Sequence, residues 1–267
     1  MGRKELKNKL QGETLVRRGL QAERGGVEQV KICPDLNVIK IGGHGTIDYG
    51  APVVVPLLDE LGELSKNHQL LIATGGGVRV RHVMDIGIDL GMPTGILAEL
   101  TGTVSEQNAL MVATVMSKYG AVSISNEDLL EVPMILRMGQ FPVMRGTPVF
   151  SYYEVPSPHG PIPQHRTDTG AFLAAELLSA KNCILVKNVD GLYTEHPLLN
   201  PDAELIEDIT AGELMEMHME DMVLEEKVVE LLQYAKNVKE VKIINGHVPG
   251  NLTKCLNGEK LGTIIRQ

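Results

Sequence analysis

The chain has no tryptophan, three phenylalanines and six tyrosines in 267 residues, so its core must be built almost wholly from aliphatic side chains. Cysteine is equally scarce. Cys33, Cys183 and Cys255 lie far apart with no CxxC pair, which fits buried thiols in a reducing compartment rather than a disulfide framework. No apolar run reaches the roughly 18 residues of a membrane span, and the N-terminus lacks the apolar centre of a signal peptide. The expectation is a cytoplasmic protein with no membrane partner. Basic clusters are missing as well. The net charge is −9, and "RKELKNK" near the N-terminus is the one cationic run. Nucleic-acid surfaces need clustered Lys and Arg, so nucleic acid is not expected as a partner.

What is present is a regular alternation of aliphatic runs and helical patterns. Residues 1–34 mix charge and glycine without periodicity and read as an N-terminal arm. Residues 35–267 read as one α/β domain. Its strands are "LNVIKI", "HQLLIAT", "NCILVKNV", "EVKIIN" and "GTIIR". Its helices are "PVVVPLLDELGELSK", "VRVRHVMDIGIDLG", "SEQNALMVATVMSKYG", "TDTGAFLAAELLSA", "VLEEKVVELLQYAKNV" and "GNLTKCLNG". Strands separated by helices imply βαβ units and a mainly parallel sheet covered on both faces. The seven prolines across residues 133–163 predict a middle rich in loops and hairpins. Phe141, Tyr152 and Tyr153 in that stretch are expected at the surface.

Two strands run into glycine. "VIKIGGHGTID", residues 38–48, ends a strand in Gly42, Gly43, His44 and Gly45, with Lys40 set among aliphatic neighbours. A buried ammonium costs several kcal/mol unless an anion pairs with it. "ATGGG" ends the next strand in Gly75, Gly76 and Gly77. Neither is a P-loop, because no Gly-Lys-Ser/Thr follows, and neither is GxGxxG. Glycines at the carboxyl ends of strands let backbone N–H groups surround an anion, and such strand ends are where open α/β sheets bind ligands. Two clusters and Lys40 together point to a polyphosphate. "RTDTG" opens a helix, where Thr167 or Asp168 serves either as a cap or as a site residue. "KNVDGLYTEHP" puts Lys187 at a strand end, followed by Asp190, Gly191, Tyr193 and Pro197, a loop suited to base and ribose. His165 and His159 flank the proline loop. The Met-rich "ELMEMHMEDM" reads as helix packing.

In this order, "KIGG", "GGG", "RTDTGAFLAAE", "NVDGLYTEHP" and "NGHVPGNLTKCLNGEKLGTII" resemble the amino acid kinase superfamily, with the general layout of its uridylate kinases. Within it, "HQLLIATGGGVRVRHV", "IPQHRTDTGAFL" and "VKIINGHVPGNLTKCLNGEKLGTII" are similar to the molybdenum-storage branch. The resemblance spans residues 35–267. It implies a three-layer αβα sandwich with a mainly parallel central sheet. It also implies a hexameric cage (a trimer of dimers, of one or two subunit types), with ATP and Mg²⁺ at each nucleotide site. ATP hydrolysis would accompany deposition of molybdate or tungstate as polyoxometalate clusters. Carried over by position, Lys40, Asp168 and Lys187 would act on the phosphates. Gly42, Gly43, Gly75, Gly76, Gly77, Asp190, Gly191, Tyr193 and Pro197 would bind the nucleotide, and His165 and His159 the oxyanion cluster. The alternative is a small-molecule phosphotransferase of the uridylate kinase type. Against it, the helix start matching a ribose-binding Asp of uridylate kinases offers Glu106, Gln107 and Asn108. Ser151-Tyr152-Tyr153 replaces a histidine run found in one storage subunit type, so the clusters are expected to differ.

Overall fold

The computed structural model describes residues 28–267 other than 159, 196, 198, 199, 201, 220 and 221. Most of the expected arm, together with His159 and His196, lies outside the described residues. Ile32–Gln267 form one compact unit.

Eight strands make one sheet. They are β1 (Leu36–Ile41), β2 (Gln69–Thr74), β3 (Ala121–Ser123), β4 (Phe141–Arg145), β5 (Asn182–Lys187), β8 (Asp208–Thr210), β9 (Glu240–Asn245) and β10 (Thr263–Arg266), in spatial order β3-β4-β2-β1-β5-β9-β10-β8. β6 (Leu192–Tyr193) and β7 (Leu205–Ile206) pair as a small ribbon on their own. β1 lies between β2 and β5, parallel to both, and all six of its residues are buried. Its alternate residues serve two cores. Leu36 and Val38 join Leu71, Cys183, Leu185 and Phe172 on one face. Ile39 and Ile41 join Leu70, Ile72, Ile184 and Val186 on the other. Lys40 therefore shares the face of Leu36 and Val38, because side chains alternate along a strand.

The helices follow from these two faces. α1 (Ala51–Leu64), α3 (Thr94–Val115) and α8 (Asn251–Leu256) supply Leu57, Leu61, Val112 and Leu252 to the second core. α5 (Thr167–Leu178), α6 (Ala211–Glu216) and α7 (Glu226–Leu232) supply Phe172, Leu178, Leu214 and Val229 to the first, and α4 (Val132–Arg137) adds Val132. α2 (Val78–Asp89) packs on α3. The result is the three-layer sandwich with a mainly parallel sheet. Met215, Met219 and Met222 pack against the first core, as packing residues should.

Five details differ from the sequence reading. The proline-rich middle contains β4, a strand inside the sheet between β3 and β2. Pro142 is tolerated there because Phe141 donates to Gly120, which turns the next backbone nitrogen toward β2, and pairing with β2 begins only at Val143. Phe141 itself is buried, since it faces the second core. α3 begins at Thr94, so Glu106, Gln107 and Asn108 sit in mid-helix rather than at a helix start. Its pattern was blurred because buried Thr101, Gly102, Ser105 and Asn108 break the apolar periodicity. The helix expected over residues 223–238 is confined to Glu226–Leu232. Beyond it the Glu176 carboxylate accepts from the backbone N–H groups of Lys236, Asn237 and Val238, so these need no helical partners. Finally, β10 runs antiparallel to β9, and β8 joins β10 in parallel.

Candidate functional site

At the carboxyl ends of β1, β2 and β5 the chain opens a cavity of about 660 Å³, within the size range of small-molecule sites. Its floor is a buried ion cluster. Lys40 on β1 places its Nζ 2.7 Å from Asp168 Oδ1, and Lys187 at the end of β5 places its Nζ 2.7 Å from Asp168 Oδ2. Two ammonium groups on one carboxylate leave one positive charge for a ligand. Burial by itself would raise the Asp168 pKa, but Lys187 and Lys40 outweigh it and hold the carboxyl far below the usual range. Burial lowers the pKa of Lys187, and Asp168 opposes that shift. The anion that justifies a lysine inside β1 is thus supplied first by the protein itself.

The glycines are required by close backbone approach. A Cβ on Gly43 would lie 2.0 Å from the Gly77 nitrogen, and one on Gly75 would lie 2.9 Å from the Gly43 nitrogen. The two turns are pressed together over the lysines. Gly77 has φ +74° and opens α2, whose first N–H, that of Val78, donates to Asp48 Oδ2 at 2.7 Å. Asn108 on α3 donates its amide to Gly75 O at 2.5 Å and is fully buried. His247 Nε2 lies 2.7 Å from Gly45 O, and its ring meets Tyr49 edge-on.

Lys40, Gly42, Gly43, Gly75, Gly76, Gly77, Lys187, Gly191, Tyr193 and Pro197 all line the cavity. Asp168 lies beneath the two lysines rather than on the wall. Asp190 turns aside, its Oδ1 accepting from Asn245 at 2.8 Å. His165 stands apart from the group, with Nδ1 2.8 Å from Glu154 Oε1 and its ring edge-on to Phe150. Its Nδ1 is therefore engaged, and Nε2 is the nitrogen left for a ligand.

Sequence reasoning passed over several wall residues: Arg81, Thr147, Arg166, Met222, Val223 and Glu225. The buried Thr147 hydroxyl has no partner among the described residues. Glu225 settles the question of how α5 is capped. Its carboxylate accepts from the N–H groups of Arg166 (3.1 Å), Asp168 (2.9 Å) and Thr169 (3.0 Å), and from the Thr169 hydroxyl (2.7 Å). Neither Thr167 nor Asp168 caps the helix, which leaves Asp168 free to face the lysines. "VLEEKVV" offered no signal for this, since a glutamate at the start of an amphipathic pattern normally faces water.

No group of three or more His, Cys, Asp or Glu side chains among the described residues is arranged to hold a metal ion. The one buried carboxylate of the floor is already shared by two lysines. The described residues therefore do not fit a protein-ligated Mg²⁺.

A sheet with two apposed glycine turns over a Lys–Asp–Lys cluster defines a class, α/β proteins with a polar cavity at the strand ends. The chain belongs to the amino acid kinase family, whose model matches residues 35–245. It is 42% identical over 261 residues to the molybdenum storage protein subunit beta of Azotobacter vinelandii, covering 98% of this chain and 97% of that one. It is 30% identical to the uridylate kinase of Thermofilum pendens, covering 86% of this chain and 97% of the relative. The crystal structure of uridylate kinase from Archaeoglobus fulgidus superposes with a TM-score of 0.68 at 21% identity, covering 86% of this chain and 99% of that one, which shows the shared fold.

Proposed function

We propose that the chain is a subunit of an ATP-binding oxyanion store. In this reading ATP hydrolysis is coupled to deposition of molybdate or tungstate as polyoxometalate inside an oligomeric cage. The observation that carries it is the near end-to-end 42% identity to a molybdenum storage subunit in a chain that keeps the lysine cluster under its glycine turns. Lys40 and Lys187 would meet the phosphates, the glycine turns would give their N–H groups to phosphate oxygens, and Tyr193 and Pro197 would flank the nucleoside. Mg²⁺ would travel with the nucleotide, held by phosphate and water, because the described residues offer no carboxylate nest for it.

The cage is proposed as a hexamer in the cytoplasm, of one or two subunit types. Tyr152 and Tyr153 are 64% and 85% exposed, as residues at a subunit contact or a cage wall would be in an isolated chain. Among the described residues no helix is long and apolar enough to cross a membrane. His165 can reach an oxyanion only through Nε2 while Glu154 holds its other nitrogen.

A uridylate kinase-like phosphotransferase is the second reading, favoured by the 30% identity to such an enzyme. One experiment separates the two. Protein from cells grown with molybdate and tungstate is weighed by light scattering, assayed for metal, and incubated with ATP and uridylate. The storage reading expects about six chains, bound molybdenum or tungsten, and phosphate release without a phosphorylated organic product. Metal-free protein that phosphorylates uridylate would overturn it.

A further inference from the structure

Glu225 makes more bonds to the site than any cap requires. It belongs to the segment whose Met222 and Val223 form one wall of the cavity, and it stands immediately before α7. Its side chain is only 8% exposed, and three backbone N–H groups and one hydroxyl converge on it. One of those N–H groups is that of Asp168 itself. The same residue thus receives a backbone bond from Glu225 and sends its own carboxylate to Lys40 and Lys187.

We infer that Glu225 is a positioning residue for the nucleotide site. Its carboxylate clamps the first turn of α5 so that Asp168 holds Lys40 and Lys187 aimed at the phosphates. This rests on the nucleotide reading above. A carboxylate at a helix N-terminus is favoured by the dipole and the unsatisfied N–H groups there. Supporting bonds of this kind hold reacting groups within a fraction of an ångström. The clamp also joins the two sides of the cavity. A ligand packing on Met222 and Val223 presses on the segment that fixes the lysines.

The charge of Glu225 has a second effect that plain bracing lacks. The groups facing Lys187 are Asp168 from α5, Lys40 from β1 and Glu225. Burial lowers the Lys187 pKa and Lys40 adds to that, whereas Asp168 and Glu225 raise it. Arg166, with Nε 3.9 Å from the Glu225 carboxylate, is the other cation beside it. Removing the negative charge lets Lys187 lose its proton at lower pH.

The test is ATP affinity by titration calorimetry from pH 7 to pH 10 for wild type, Glu225→Gln, Glu225→Asp and Thr169→Val. In Glu225→Gln, affinity at pH 7 falls about 10-fold, and the alkaline loss of binding moves to lower pH. Thr169→Val removes one bond to the same carboxylate but no charge, so its alkaline limb stays with the wild type. Glu225→Asp keeps the charge on a shorter arm. Its affinity falls while its limb stays in place, and this variant carries the test if Glu225→Gln does not fold. A Glu225→Gln limb that coincides with the wild type, or a Glu225→Asp affinity equal to it, overturns the positioning role alone. Wild-type protein that binds no ATP at any pH overturns the nucleotide reading, and this inference with it.

Discussion

The cavity floor and the segment from Ser151 to His165 are held by different means. The floor is fixed by backbone pressed on backbone and by a buried ion cluster. The segment touches α3 closely at one point, where a Cβ on Gly95 would lie 2.4 Å from the Tyr152 carbonyl oxygen, and is otherwise fixed by side-chain ties. Ser151 hydrogen-bonds Glu99, Glu154 holds both His165 Nδ1 and the His165 N–H, and Gln164 donates to Pro156 O at 3.1 Å. Tyr152 and Tyr153 project outward between those ties. Where groups must converge on a ligand the chain leaves no slack, and where it offers side chains to its surroundings it uses a tethered loop.

The largest effect is expected at the floor. Asp168→Asn leaves two buried lysines without their shared counter-ion, a loss of about 3–5 kcal/mol that urea unfolding at pH 7 would read. Because the folded-state pKa of Asp168 is depressed, its stabilisation is present above the unfolded value near 3.9 and is lost as pH falls below it. The gap between wild type and variant must therefore narrow in acid. A gap below about 1 kcal/mol at neutral pH would show that the lysines are not held by this carboxylate.

Gly43→Ala comes next. Its Cβ cannot fit 2.0 Å from the Gly77 nitrogen, so the two turns must part, costing about 1–3 kcal/mol and weakening ATP binding by at least about 10-fold. Unchanged melting and affinity would mean that the turns are not in contact in solution. The smallest effect belongs to the tethered segment. Glu154→Gln should cost about 1 kcal/mol and speed proteolysis between residues 154 and 165, with ATP affinity within about threefold of wild type. A loss of ATP binding as great as that of Gly43→Ala would erase the distinction between the two regions.

Much of the floor is legible in the sequence alone. Lys40 inside an aliphatic strand points either to an open sheet edge in water or to an anion, and glycine runs at two strand ends allow backbone N–H groups to approach a ligand; both are local statements about one residue and its neighbours. Asp168 was legible only as one of two possibilities, because whether an acid at a helix start caps that helix depends on whether another group does so. Glu225, 57 residues away, does. β4 was hidden by Pro142, since proline reads as a loop signal unless the side on which its missing proton falls is known. The start of α3 was hidden by its buried polar residues, of which Ser105 and Asn108 donate to the carbonyls of Thr74 and Gly75 rather than to water.

The sequence by itself determined the alternation of strands and helices, the two-faced burial of β1 and the glycine clusters at two strand ends. Each of these follows from short-range sterics and from the period of apolar residues. Tertiary structure alone decided that Lys40 and Lys187 share one carboxylate, that Glu225 rather than Thr167 or Asp168 caps α5, and that β10 turns back against β9. Those outcomes depend on which groups meet after residues far apart in the chain are packed together. The low-dielectric interior then makes a buried charge or polar group costly by several kcal/mol when its partner is missing.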